Sequence, residues 1–160
     1  MNPSVSWSDL TTGRRFVTRA RTVTESDVVQ FAGSTGDFSP MHVDHEFAGR
    51  SDFGGPIAHG LLGLSYAHGL MFGGGLLGHN AIAFMGMSDW RFTAPIMLGD
   101  TIHVEFTVEH TRERRNDPGQ GLVTFDVAVV NQDGVVVQRG KKTLLMHTTT
   151  ITTEAGRTEG

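Results

Sequence analysis

The chain has 160 residues with 38% hydrophobic content, which suits one domain built on one modest core. A formal charge of −4 provides no broad basic surface for nucleic-acid phosphates, and the lack of cysteine excludes disulfides, thiol nucleophiles and thiolate metal sites. The opening MNPSVSWSDLTTGRRF has neither an apolar signal core nor an Arg-rich amphipathic helix, and no run approaches the ~18 apolar residues of a membrane span, so a soluble, cytoplasmic protein is expected.

In chain order, Phe16 to Val23 reads as a first strand, and Thr24 followed by Asp27 marks a helix start before Val28, Val29, Phe31 and Ala32. That helix is expected to end by Gly33. Ser34 to Pro40 is loop chemistry, because Thr35-Gly36-Asp37 favours a turn and Pro40 pushes Ser39 out of helical geometry. A brief helix is expected over Asp44 to Ala48, and Gly54-Gly55-Pro56 breaks the chain again.

From His59 to Phe72, Leu61, Leu64, Met71 and Phe72 fit one apolar stripe of a helix, with Leu62 and Leu70 on other faces, which predicts a helix buried on several sides. Gly63 and Gly69 weaken helix propensity but allow another element to approach closely. Gly73-Gly74-Gly75 ends the helix. Strand-like stretches then follow at Ala81 to Phe92, Thr101 to Arg112, Leu122 to Asn131 and Val135 to Met146, with Gln132-Asp133-Gly134 as a hairpin turn. Thr148 to Thr153 is β-prone, and the end of the 149–160 extension reads as disordered. The pattern is α+β.

Phe31 to Ala48, FAGSTGDFSPMHVDHEFA, places the carboxylate of Asp37 five residues before the imidazole of His42 in a turn-rich segment, a pairing suited to acid/base chemistry. Each residue also has a plain structural role available. Asp37 is a turn former that bonds to nearby backbone, His42 and His68 are satisfied histidines, and Gly60 is a glycine at a tight helix start. His42-Val43-Asp44-His45 lacks the helical i, i+4 geometry of a zinc protease, and spacing indicates no third ligand, so no metal is expected. Arg112, Arg114, Arg115, Arg139, Lys141 and Lys142 form the clearest basic cluster available to meet phosphates, though such a run is ordinarily a solvated strand end, and Met85-Gly86-Met87 could line an adaptable apolar tunnel, though methionine more often fills irregular core space.

Gly36, Asp37, Pro40, Met41, His42 and Ala48 resemble the signature of the MaoC-like dehydratases, the (R)-specific enoyl-thioester hydratases. Ala58-His59-Gly60-Leu61-Leu62, with Gly60 eighteen residues after His42, is similar to the family's second motif, and Trp90-Arg91-Phe92 through Pro95 to Gly99-Asp100-Thr101 extends the likeness, roughly from Gly13 to Met146. The resemblance implies one hotdog domain over 1–148, an antiparallel sheet wrapped around a long central helix. It also implies a homodimer or higher homo-oligomer, and reversible hydration of an acyl-CoA or acyl-carrier-protein enoyl thioester with no cofactor beyond the CoA of the substrate.

In the implied site, Asp37 is the general base, His42 holds the same water, and the Gly60 amide binds the thioester carbonyl. Ser39 and His68 border the substrate, and His59 is a residue at the helix start without a proton-transfer role. Ser39 replaces the family's usual Asn with a shorter side chain that makes fewer hydrogen bonds, a departure that points toward a branched or dicarboxylic acyl group. A hotdog acyl-thioesterase and a non-catalytic acyl-thioester-binding subunit remain the alternatives.

Overall fold

Alternation of apolar and polar residues dominates the second half of the chain, and it builds the sheet that frames everything else. In the computed structural model, which describes residues 5–73 and 76–149, Thr101–Glu113 and Gln120–Val130 bury every second side chain, including Ile102, Val104, Phe106 and Val108 facing Val123, Phe125, Val127 and Val129. A short 3-10 turn, Trp7–Asp9, precedes β1 (Arg15–Val17) and β2 (Arg21–Thr22). Four helices follow: α1 (Glu25–Thr35), α2 (Pro40–Val43), α3 (His45–Gly49) and α4 (Gly60–Phe72). The long strands are β3 (Ala81–Phe92), β4 (Thr101–Glu113), β5 (Gln120–Val130) and β6 (Val136–His147).

Among the described residues these strands pair antiparallel, in the order β1-β4-β5-β6-β3, with β2 also on β4. Helix α4 packs its Leu62, Gly63, Ala67 and Met71 face into the common core. The α+β class and the sheet wrapped around a central helix are therefore as expected. Among the described residues no helix is long and apolar enough to cross a membrane.

Several boundaries differ from the sequence reading for clear local reasons. The single first strand expected over Phe16 to Val23 is split, because Thr18 turns its hydroxyl to the Arg19 carbonyl while also accepting the Val104 amide. Helix α1 continues through Gly33 to Thr35; Ser34 and Thr35 return their hydroxyls to the Gln30 and Phe31 carbonyls, and Gly36 closes the helix at φ 81° with its amide on Ala32. Its start is as expected, a reciprocal capping box between Thr24 and Asp27.

On α4 the apolar stripe is rotated from the expected one, since Leu61 is 60% exposed while Leu62 and Ala67 are buried. Gly63 does admit a close neighbour: a Cβ there would lie 2.4 Å from Gln138 Nε2 and 2.5 Å from Ile96. Gly69 does not, having open space around it. The β5–β6 hairpin turns at Gly134 (φ 76°), with the Asn131 side chain receiving the Asp133 and Val135 amides. Gly74, Gly75 and residues 150–160, which include most of the predicted extension, lie outside the described residues.

Candidate active site

The left-handed turn at Gly36 delivers Asp37 into a short loop that holds its own carboxylate. Thr35 Oγ1 accepts the Asp37 amide, and Asp37 Oδ1 accepts the Ser39 amide at 3.3 Å, an Asx-type arrangement. Ser39 is extended (φ −52°, ψ 132°), as a residue before proline prefers, and Pro40 then takes the first position of α2, where a missing N–H costs nothing. One helical turn later His42 reaches back across the chain. Its Nδ1–H donates to the Ile57 carbonyl at 2.7 Å, which places that proton on Nδ1 and leaves Nε2 without a hydrogen-bond partner among the described residues.

His59 completes the cluster from the other side. It is 3% exposed, its Nε2–H donates to the Asp37 backbone carbonyl at 2.9 Å, and the same nitrogen lies 3.9 Å from Asp37 Oδ2. Its ring lies against His42 with centroids 3.8 Å apart and planes tilted by 32°, and Phe31 of α1 flanks it at 5.0 Å. Ligand-type atoms of Asp37, His42 and His59 fall within 4.8 Å of one another, so the three could offer one donor each to a cation. His59 Nδ1 is buried without a partner among the described residues. The Asp37 side chain, by contrast, is 55% exposed.

Beside this cluster lies a cavity of about 560 Å³, whose wall includes His42, Ile57, Gly60, Leu61, Phe92 and Gln138. Helix α4 begins at its edge. Leu62 and Gly63 make the first bonds of the helix, both to the His59 carbonyl, so the amides of Gly60 and Leu61 precede the ladder. A Cβ on Gly60 would come within 2.8 Å of the Phe92 ring. In that wall, the buried Gln138 of β6 donates its Nε2–H to the Gly60 carbonyl at 3.0 Å and accepts Trp90 Nε1–H at 3.3 Å.

The third sequence motif supports this wall. Asp100 is buried at the head of β4 and accepts the Met97 amide and Gln132 Nε2–H, while the Ala58 amide bonds to the Ile96 carbonyl and Ile57 bridges Met97. The peptide that accepts the hydrogen bond from His42 is thus tied to the 96–100 turn.

Residues 9–131 match the MaoC like domain. The chain belongs to the MaoC-like domain family. It is 32% identical over 127 residues to the (R)-specific enoyl-CoA hydratase of Rhodospirillum rubrum, covering 79% of this chain and 82% of that one. It spans only 32% of protein MaoC from Klebsiella aerogenes, at 37% identity over 111 residues. The crystal structure of a MaoC-like dehydratase from Rhodospirillum rubrum superposes with a TM-score of 0.82 at 30% identity, covering 92% of this chain and all of that one. A Mycobacterium tuberculosis protein with a double hotdog fold superposes at 0.81 over 91% of this chain and 45% of its own; at 18% identity that likeness concerns the fold alone.

Of the residues singled out in the sequence of this MaoC-like chain, His42 and Gly60 line the cavity, and Asp37 adjoins it only through the cluster it forms with His42 and His59. Ser39 is there through its backbone; its hydroxyl caps nothing on α2. His68 does not line that cavity. It lies two turns further along α4, hydrogen-bonded to Lys142 and stacked on Phe72 at 4.7 Å. The basic cluster comes apart: Lys142 is 2% exposed, Lys141 pairs with Glu109, and Arg114 bonds to Gln120 and Asp117. Met85 and Met87 are exposed on β3 rather than filling the core. His59 stands at the helix start as expected, but its bond to the Asp37 backbone was not foreseen, and Gln138 was missed, because it acts on the site from far along the sequence with no local pattern to announce it.

Proposed function

We propose that this chain reversibly adds water across the double bond of a 2-enoyl thioester to give the 3-hydroxyacyl thioester. The observation that carries the reading is the Asp37–His42–His59 cluster, which meets an apolar cavity through His42, the wall of that cavity including the unladdered start of α4. The Asp37 carboxylate takes a proton from water that His42 Nε2 also holds. The water oxygen bonds to the β-carbon, the double-bond electrons move toward the carbonyl, and the oxygen gaining charge is met by the Gly60 amide at the positive end of α4. The proton is then delivered to the α-carbon on the same face, and dehydration runs the same steps backward.

His59 is a positioning residue in this scheme: it holds the Asp37 backbone and supports the His42 ring without touching substrate. The exposure of Asp37 ends when the acyl thioester covers it, which desolvates the carboxylate as reaction begins. CoA or acyl carrier protein enters only as part of the substrate, and the chemistry uses no metal. We further propose a cytoplasmic homodimer. β3 is the outer strand of the sheet and exposes Ile82, Phe84, Met85 and Met87, an apolar edge suited to a second copy.

The test is loss of the conjugated enoyl-thioester absorbance, with a thiol reagent and a chelator in parallel and Asp37→Asn beside wild type. Absorbance loss without thiol release, insensitive to chelator and abolished in the variant, supports the proposal. Thiol release identifies a thioesterase, and tight thioester binding with neither signal identifies a binding subunit.

A further inference from the structure

A second cavity, of about 330 Å³, lies further along the same seam, lined by Leu64, Ser65 and His68 of α4, Phe84 and Met87 of β3, and Lys142 of β6. The three elements are those that wall the first cavity through Gly60, Phe92 and Gln138. Gly60, Leu64 and His68 follow at intervals of four on one helix face, and Gln138 and Lys142 share one face of β6. From Gly60 to His68 the helix rises about 12 Å, and from Gln138 to Lys142 the strand advances about 13 Å, so the two cavities are successive stations at matched spacing.

Lys142 is the unusual occupant. It is 2% exposed, and among the described residues its ammonium has no carboxylate partner. It donates to His68 Nδ1, lies 3.8 Å from Met71 Sδ, and sits over the Phe72 and Phe84 rings at 5.5 and 5.2 Å. A cation buried among apolar and neutral groups is costly unless something else offsets it. Accepting from Lys142 at Nδ1 leaves His68 with its other proton on Nε2, a second donor beside the ammonium. Burial holds Lys142 down to about 8, and burial together with the Lys142 charge lowers His68, so near neutrality the pair is an ammonium and a neutral imidazole.

We infer that the second cavity receives an anionic terminus, a carboxylate, at the far end of the acyl chain, with Lys142 as its counter-ion and His68 as a further donor. The substrate class is then the thioesters of unsaturated dicarboxylic acids. This inference rests on the proposed hydration and gives it a substrate. The dicarboxylic signal comes from Lys142, a residue far from the Ser39 departure that first suggested it.

The test compares hydration of a homologous series of enoyl-CoA thioesters ending in carboxylate with methyl-ended chains of equal length, for wild type and folded Lys142→Met, a short methyl-ended thioester serving as the reference. Wild type is expected to favour the carboxylate-ended members of matching length in kcat/KM by about 10–100-fold, the worth of a hydrogen bond to a charged group. Lys142→Met is expected to abolish or reverse that ratio. Hydration of the methyl-ended series with no carboxylate preference in wild type overturns the inference and leaves the hydratase reading intact. A preference that persists in Lys142→Met overturns Lys142 as its source, and hydration of no member overturns both readings.

Discussion

The imidazoles of His42 and His59 lie against each other with centroids 3.8 Å apart and planes tilted by 32°, and each ring spends one N–H on a backbone carbonyl of a different segment, Ile57 for His42 and Asp37 for His59. The pair therefore clamps the Asp37 loop to the approach to α4. Replacing His59 by Phe keeps the ring and removes the donor. Turnover is expected to fall about 10²-fold, the scale of a slight misplacement of reacting groups. The loss should sit in kcat more than in KM, with partial recovery in His59→Gln, whose amide reaches a similar point. Equal loss in both variants, tracking loss of secondary structure, would show that His59 only supports the fold.

Asp37→Asn keeps the acceptor for the Ser39 amide and removes the base. Turnover is expected to drop by about 10²–10⁴-fold while the thermal midpoint stays close to wild type. A folded Asn variant with near-native turnover removes Asp37 from the chemistry.

The two interior glycines of α4 should respond with opposite signs. Gly63→Ala drives a methyl into Gln138 and Ile96, both buried, at an expected cost of about 1–3 kcal/mol. Gly69→Ala meets nothing and gains helix propensity, an expected stabilisation of about 0.5–1 kcal/mol. Urea denaturation of the two variants reads both, and equal effects would contradict the packing described.

Lys142 makes stability depend on pH in a defined direction. Burial holds the folded-state group at about 8 against an ordinary 10.5. Between these values the unfolded chain binds more protons, so stability rises with pH across the window. Below pH 8 the penalty is fully present, on the order of 3 kcal/mol. Lys142→Met, judged by chemical denaturation, is expected to be more stable than wild type at pH 7, with an advantage that shrinks from pH 8 to 10.5. A flat difference across that range would mean that Lys142 is not desolvated.

The exposed edge of β3 gives a prediction about assembly. Met85→Arg puts a charge where a second copy would seat, and light scattering should find the dimer shifted to monomer. An unchanged mass places the interface elsewhere.

What could be read from the chain and what could not divide along sequence separation. The alternation in β4 to β6, the capping box at Thr24 and the Asp-Gly turn at Gly134 are decided within a few residues, and the structure agrees with them. The Asp37–His42 loop was legible for the same reason. Lys142 and Gln138 were not, because a strand pattern says which residues share a face but not which helix position meets them; their partners on α4 lie 74 and 78 residues away. Lys142 was read as one of a solvated run because a cluster of basic residues is ordinarily a solvated strand end, as the exposed Arg139 near it is. The rotation of α4 escaped detection because a helix apolar on most sides gives its pattern little direction.

Gln138 joins the Gly60 carbonyl, the Trp90 indole and the bare α-carbon of Gly63 at one buried point. The orientation of the first turn of α4 is thus set by a buried strand residue that is itself part of the cavity wall. Substitutions at this point would retune how a carbonyl is gripped while leaving Asp37, His42 and His59 unaltered. For a scaffold of this kind, divergence of activity between relatives is then to be sought in how the sheet braces the helix start as much as in the acid/base cluster.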